Sequence, residues 1–336
     1  GFGIEDMKMA QIAAGACLHY ISSTELLNLQ HIKSIQKIED ENIVWLDKFT
    51  IRNLELIQSI QPDGVSLLQI LDKTITPMGS RMLQRWIVMP LKQVSLIHER
   101  LNALEYFYKE ESIHEVVRLL KQVGDLERLV SKIPLSKINP RELLQLSTAL
   151  KIISPLKSIL ENSKEPALLK ILSHLQPLHF VSEKIDTTIS PDAPFQLQKG
   201  HVILSGINND LDELRNIITN GKDYILAIQN REIENTGISS LKVGFNNVFG
   251  YYLEVRNTHK EKVPESWIRK QTLTGAERYI TTELKTLEEK ILSAEEKISA
   301  LENKIYAELV QSLIEFIDAI QRNAKSIAHL DCIQSL

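Results

Sequence analysis

Two stretches of the sequence repeat apolar residues in a heptad pattern, and they limit the possible fold more than any other feature. Residues 203–228 and 284–305 carry apolar side chains three and four positions apart in alternation. This spacing predicts two long helices, from about 201 to 235 and from about 282 to 321, roughly 50 and 60 Å in length. Because the linking segment is short, we expect an antiparallel two-helix arm with a further element at its tip. Gly221 lies within the first stretch, where it either lets the partner helix come close or simply weakens the helix.

Between the two helices the sequence changes to the two-residue period of β-strands. Alternating or strand-like runs occupy 241–246, 251–256, 267–273 and 276–280. A sheet of roughly 40 residues can pack only one of its faces on itself, so its other face requires a functional explanation. We expect Tyr251, Tyr252 and Trp267 to lie in the core of this sheet rather than to stack on nucleic-acid bases.

The remaining sequence is typical of a helical protein. Residues 7–200 place apolar side chains at helical spacings, with short breaks marked by proline or aspartate. Glycine accounts for only 13 of 336 residues and aromatic residues for 6%, which disfavours a sandwich or barrel built on tight turns. The predicted fold is therefore mainly α: a helical core with a long antiparallel two-helix arm that carries a small antiparallel β-domain at its tip.

Several protein classes are disfavoured by what the sequence lacks. Cys17 and Cys332 lie near opposite ends, so we expect neither a disulfide framework nor a cysteine metal site. This cysteine usage is typical of a protein in a reducing compartment. No basic segment followed by an apolar run begins the sequence, and no stretch is long and apolar enough for a membrane span. The sequence contains no phosphate loop, no catalytic serine elbow and no H-E-x-x-H motif, and its nine histidines are scattered. We therefore expect neither a metal site nor catalysis.

Charge is distributed unevenly along the chain. The net charge is −4, but residues 240–280 include seven lysines or arginines and four acidic residues. Basic side chains neutralise phosphates, and amides and hydroxyls hydrogen-bond to phosphate oxygens without reading a base sequence. The side chains that fit this role are Lys242, Asn246, Asn247, Arg269, Lys270, Gln271, Thr272 and Arg278. The alternative is a charge run that only protects a strand edge and keeps the protein soluble.

The basic segment resembles the clamp domain of the bacterial DNA mismatch repair family MutS. The matching runs are LKVGFNNVFGYYLEV at 241–255, VP at 263–264, IRKQTL at 268–273 and AERYIT at 276–281. The core, or lever, domain of the same family is similar to RNLEL at 52–56, LDKTITPMGSRML at 71–83, DLER at 125–128 and NPREL at 139–143. GIED at 3–6 resembles the end of the connector domain. The matching runs occur in the same order as in the family, and the resemblance covers the whole chain.

The resemblance implies a division of the chain into five segments. Residues 1–25 would end a connector domain, and 26–200 would form the helical core, or lever, domain. Residues 201–239 would form the ascending arm helix, 240–281 the β clamp at the tip, and 282–336 the descending helix that returns to the core.

The resemblance also implies a function. The chain would be the lever and clamp portion of a DNA mismatch repair protein, which holds duplex DNA by nonspecific phosphate contacts and couples this to an ATPase domain absent from this chain. The family match retains the phosphate-binding candidates named above and adds Lys260, in a less clearly matched loop. Gly275 stands where the family commonly has asparagine, which leaves only a backbone N–H for phosphate there.

The resemblance further implies which partners belong to the full-length protein. ATP and magnesium would bind there, whereas this chain would hold no cofactor and would not be an enzyme. A homodimer and a MutL-type partner are expected, in the bacterial cytoplasm and associated with the nucleoid, without a membrane. The alternative function is a coiled-coil arm for protein interaction without DNA binding, which requires a seam open to a partner helix. A third possibility is the arm of a tRNA-handling enzyme, which requires a nucleotide site that the sequence does not show.

Overall fold

The computed structural model of the chain is mainly helical, with one four-stranded antiparallel sheet, as the sequence predicts. It describes residues 7–24, 42–109, 112–246, 248 and 250–336, without the side chain of residue 222. The chain forms two compact units, which we call the helical unit (Gly1–Gln196 with Ala307–Leu336) and the arm unit (Leu197–Tyr306). The five domain boundaries implied by the resemblance stay predictions, and its run at 3–6 lies outside the described residues.

The secondary structure follows the chain in this order. The helices are α1 (Lys8–Ser23), α2 (Lys48–Asn53), α3 (Leu67–Leu71), α4 (Pro77–Val88), α5 (Val94–Lys109), α6 (Ser112–Leu120), α7 (Leu126–Lys132), α8 (Pro140–Leu160), α9 (Pro166–His174), α10 (His179–Thr188), α11 (Asn209–Thr236), α12 (Thr282–Ser312) and α13 (Ile317–Ser335). The strands, between α11 and α12, are β1 (Lys242–Asn246), β2 (Gly250–Arg256), β3 (Ile268–Thr272) and β4 (Ala276–Ile280).

Of the described helices, α8 is the longest that lies wholly within the helical unit. Asn139 caps it, and Glu142 returns the hydrogen bond to the backbone of Asn139, which completes a capping box. Its buried residues, among them Leu146, Leu150 and Ile153, pack against α6, α7, α9 and α10. Among the described residues, α8 is the one helix whose length and hydropathy would suit a membrane span, and half of that window is buried inside the protein. Its apolar composition is accounted for by this packing.

A buried carboxylate ties two distant parts of the helical unit together. Asp331 of α13 is fully buried and accepts hydrogen bonds from the backbone N–H of Ile75 at 2.9 Å and of Thr76 at 2.7 Å. The Thr76 hydroxyl donates to the same carboxylate at 2.6 Å and accepts from the N–H of Gly79, which caps α4. A Cβ at Gly79 would lie 2.2 Å from an Asp331 oxygen, so only glycine permits this approach. The start of α4 is thereby fixed against α13.

We expect Gly79→Ala to destabilise the helical unit by about 2 kcal/mol, because the new methyl group displaces the buried Asp331 carboxylate from its donors. In an open helical position the same substitution stabilises a helix by about 1 kcal/mol. Gly15 of α1, where an added Cβ would meet no atom within 4 Å, provides the matched control. Urea unfolding of the two variants measures the difference. Equal stability of the two variants would contradict the role assigned to Gly79.

The two long helices of the arm unit run antiparallel with their apolar seams facing each other. Arg215 of α11 donates to Glu302 of α12 at 2.6 Å, and farther along the Tyr224 hydroxyl donates to Glu283 at 2.6 Å. Between these pairs, a Cβ at Gly221 would lie 3.0 Å from the Ile291 side chain, so this glycine lets the helices come close. The buried seam residues are Leu211, Ile225, Ile228, Leu284, Ile291 and Ala294. Their burial removes the open seam that a partner helix would need.

The arm helices differ from the prediction at two ends. Helix α11 begins at Asn209 rather than near 201, because Gly206 has a left-handed backbone and the Asn208 side chain accepts from the Leu211 N–H as the cap. Ile207, placed on the predicted seam, is therefore exposed. Helix α12 ends at Ser312, and a 3₁₀ turn at Ile314–Phe316 separates it from α13, so the predicted descending helix is two helices.

Candidate nucleic-acid interface

The four-stranded sheet buries one face against the arm helices. Its strand order is β1-β2-β4-β3, and every neighbouring pair is antiparallel. Leu253, Val255 and Tyr279 point from β2 and β4 into a core that also contains Ile228 of α11 and Leu284 of α12. Because side chains alternate along a strand, the residues between them lie on the opposite, outer face.

One row of polar side chains crosses the outer face of the sheet. The strand register places Lys242, Glu254, Arg278 and Gln271 opposite one another on β1, β2, β4 and β3. Arg278 donates through Nε to Glu254 at 3.0 Å and through Nη1 to Gln271 at 2.9 Å. Lys242, at the exposed end of the row, forms no ion pair with a described residue. The row is therefore neutral in its centre and cationic at the β1 edge.

Arg278 also covers an aromatic ring on the outer face. Its guanidinium lies 4.3 Å from the centroid of Tyr252, and that ring in turn lies across Gly244, where a Cβ would be only 2.7 Å from ring atoms. The predicted burial of Tyr252 and Trp267 is confirmed, and Tyr251 is half-buried. Tyr252, however, is buried by Arg278 and Gly244 on the outer face and not in the helix-facing core. Its ring is covered and does not present a stacking surface to a base.

The edge strand β3 presents three of the predicted residues to solvent. Arg269, Lys270 and Thr272 are exposed, and a bulge at residue 270 interrupts the pairing with β4. Arg269 forms a 3.3 Å ion pair with Glu277, in which the arginine side chain stays 61% exposed. Such surface pairs are weak, so a phosphate can compete for this guanidinium. Lys270 forms no ion pair with any residue that the structure describes.

The β1–β2 hairpin lies along an acidic part of α12. Asn246 is half-buried, and its side-chain oxygen accepts from the Val248 N–H at 3.0 Å, whereas Asn247 lies outside the described residues. The Tyr251 N–H donates to Glu288 of α12 at 3.3 Å. Asn246 and Lys270 border one groove of about 550 Å³ with Glu288 and Glu289. The hairpin end of the sheet is thus less cationic than the sequence suggests.

The opposite end of the sheet is more cationic. Lys260 is exposed on the 3₁₀ helix Asn257–Lys262, and Asn257 joins this segment to the β3–β4 turn by donating to the carbonyls of Gly275 and Thr274, each at 3.2 Å. Gly275 faces open space, so its backbone is accessible. A hydrogen bond from the Tyr279 hydroxyl, aided by the positive charges of Arg269 and Lys260, lowers the pKa of Glu277. That carboxylate therefore stays charged beside these cations.

The described residues contain no group of three or more His, Cys, Asp or Glu side chains placed to hold a metal ion. The chemistry of the sheet is therefore that of hydrogen-bond donors and cations on a rigid surface.

Comparison with known proteins places this geometry in a family. The family model of MutS domain III matches residues 49–336, which includes both arm helices and the whole sheet. The chain belongs to the MutS family. DNA mismatch repair protein MutS from Parabacteroides distasonis and from Bacteroides fragilis are each 51% identical over all 336 residues, and that from Phocaeicola vulgatus is 52% identical over 334 residues, or 99% of the chain. The chain spans 38–39% of the length of these relatives, so it corresponds to one part of a MutS protein.

Within this MutS-family sheet, sequence reasoning overlooked two candidate cations. Arg256 and Lys262 are exposed at the same end as Lys260, and neither forms an ion pair with a described residue. Both are among the seven lysines and arginines of the basic segment 240–280, so the sequence count had already included them. They lie outside the matching sequence runs, and only the pairing of Arg256 with Ala276 shows that they border the β3–β4 turn.

Two arginines of the MutS-family sheet provide a direct comparison. We expect Arg278→Met to destabilise the sheet by about 2 kcal/mol, because it removes hydrogen bonds to Glu254 and Gln271 and the cation over Tyr252. Arg269→Met, at an exposed surface pair, is expected to change stability little. Hydrogen exchange of the β2 and β4 amides measures the local effect. Similar exchange in the two variants would show that Arg278 does not organise the outer face.

Proposed function

We propose that this chain is the lever and clamp portion of a DNA mismatch repair protein, and that its sheet holds duplex DNA by sequence-independent phosphate contacts. The observation that carries the proposal is the set of exposed cations, on the sheet and on the adjoining 3₁₀ helix, that form no ion pairs among the described residues: Lys242, Arg256, Lys260, Lys262 and Lys270. Arg269, Thr272 and the backbone of Gly275 extend this surface. The apolar face of the same sheet is committed to the arm helices, so the cations belong to the part left for a partner.

The size of the sheet suits a duplex. Strands of five to seven residues are about 17–23 Å long at 3.3 Å per residue. Along such a distance B-DNA presents roughly ten phosphates, counting both strands. Contacts of this kind position a duplex and carry no base information, and no base-stacking side chain is exposed in the outer row. Arg278 and Gln271, which bond to each other, would contribute their remaining donors, and the roles of Asn246 and Asn247 stay predictions.

The proposal extends to the full-length protein. There the helical unit would transmit changes between the clamp and an ATPase domain that binds ATP and magnesium. Helix α12 contributes residues to both compact units, so it provides a continuous helical connection for such coupling, beside the chain link at 196–197. A homodimer closing around DNA, a MutL-type partner and a cytoplasmic, nucleoid-associated location complete the proposal. The protein-interaction alternative loses support because the buried arm seams face each other.

The phosphate contacts are tested by reversing two lysines. We expect Lys260→Glu combined with Lys270→Glu to weaken duplex binding by about tenfold or more, because each lysine loses a charge-assisted contact and introduces repulsion. The loss should be equal on matched and mismatched duplexes, since the contacts read no bases. Fluorescence anisotropy at low salt measures the affinity. With five cations engaged, the log-log salt slope of the unaltered chain should be near about −4.5.

The control is Lys297→Glu combined with Lys304→Glu, which makes the same charge change on the exposed side of α12, away from the sheet. It should leave binding nearly unchanged. The same substitutions at the matching positions of a full-length relative extend the test to the case in which the chain alone binds DNA too weakly to measure. Unchanged affinity in the double variant, or a loss confined to mismatched DNA, would contradict the proposed clamp.

A further inference from the structure

The helical unit contains a cavity that the clamp function does not use. It has a volume of about 440 Å³ and is bordered by α5, α9 and α13. Leu96, Ala103, Ile171 and Ile333 form apolar parts of its wall. This volume falls within the range of about 300–1,000 Å³ that is typical of small-molecule sites.

The wall of the cavity is strongly basic, although the protein as a whole is acidic. Its cationic side chains are Arg100, Lys170, Arg322 and Lys325, and two histidines, His174 and His329, also line it. Glu99 is the one acidic residue of the lining, and it pairs with Lys170 at 2.8 Å. Arg322 and Lys325 are exposed and form no ion pair with a described residue. Three further positive charges, counting Arg100, therefore face this cavity without a carboxylate partner.

Arg100 is the most informative of these side chains. It is half-buried, stacks on Trp86 with its guanidinium 3.7 Å from the ring centroid, and forms no ion pair with a described carboxylate. Its burial lowers the pKa of the guanidinium. Charges withdrawn from water are normally paired, because desolvation is costly. Arg100 lines the cavity, and stacking on Trp86 holds its guanidinium in place, so a positive charge without a carboxylate partner borders the space that an anion would enter.

His329 reports the same electrostatic environment. Its ring meets the edge of Trp86 at a centroid distance of 5.0 Å, beside Arg100. Burial, together with the positive charges of Arg100, Lys325 and Lys170, lowers the pKa of His329 to about 4. Glu99 opposes this shift but does not cancel it. His329 is therefore neutral at physiological pH, and the positive charge of the cavity wall comes from its arginines and lysines.

We propose that this cavity binds a small phosphorylated organic anion of nucleotide size. The planar guanidinium of Arg100 matches two phosphate oxygens, and Arg322 and Lys325 add charge at the entrance. The apolar wall accommodates the organic part of the ligand. The sequence contains no phosphate loop, so this site is distinct in kind from a P-loop nucleotide site. The proposal is independent of DNA binding, because every residue involved belongs to the helical unit.

Calorimetric titration of the 336-residue chain with ADP, inorganic pyrophosphate and adenosine tests the proposal. We expect ADP to bind more tightly than pyrophosphate, which lacks the apolar part, and adenosine, which lacks phosphate, not to bind. Arg322→Gln with Lys325→Gln should weaken ADP binding by about tenfold or more, and Arg100→Lys, which keeps the charge but loses the planar fork, by about tenfold. Both substituted entrance residues are exposed, so this variant is expected to fold even if Arg100→Lys does not.

Two controls separate the cavity from other cations. Lys121→Gln changes an exposed lysine of the helical unit that does not line the cavity, and it should leave ADP binding unchanged. Lys260→Glu with Lys270→Glu should also leave it unchanged, because both lysines belong to the arm unit. Absence of ADP and pyrophosphate binding at millimolar concentration overturns the proposal. So does binding that is insensitive to the entrance substitutions, or displacement of ADP by an acidic peptide that binds the cavity more tightly, which would indicate docking of a protein segment.

Discussion

A sheet of four short strands has only one face that it can bury, and in this protein that face is committed to α11 and α12. Leu253, Val255 and Tyr279 pack there against Ile228 and Leu284. A small sheet gains stability by packing its apolar face against helices, and here both arm helices contribute to that core. Gly221 permits the pairing of these helices by letting α12 come within van der Waals distance of α11. The outer face and the two ends of the sheet are therefore left for polar side chains.

The polar side chains on the sheet divide into two kinds. Arg278 is held by Glu254, Gln271 and Tyr252, and it organises the outer face. The lysines and Arg256 make no such pairs among the described residues, and a partner with negative charge can bind them. An arginine that holds its own sheet together and a lysine that projects into solvent cannot be distinguished by charge alone. The division explains why a protein with a net charge of −4 can present a cationic surface at one place.

Much of the fold follows from local sequence patterns, whereas the site depends on long-range pairing. Heptad spacing predicted the arm helices, and alternation predicted the strands. The start of α11 was misjudged because the apolar pattern continues through Ile203 and Ile207, while the conformation of Gly206 and the Asn208 cap end the helix. Cross-strand register is not encoded within any one strand, so the pairing of Arg278 with Glu254 could not be predicted. The same holds for the basic cavity, since α5, α9 and α13 are far apart in the sequence.

Lysine-reactivity footprinting tests whether the unpaired cations of the sheet and of the adjoining 3₁₀ helix contact the phosphates of a duplex. The chain is acylated with and without duplex DNA at low salt, and mass spectrometry measures the modification of each lysine. If these contacts form, DNA protects Lys242, Lys260, Lys262 and Lys270, whereas Lys297 and Lys304 on α12 react equally in both samples; we expect this result. Protection of the α12 lysines with unchanged reactivity on the sheet would contradict it.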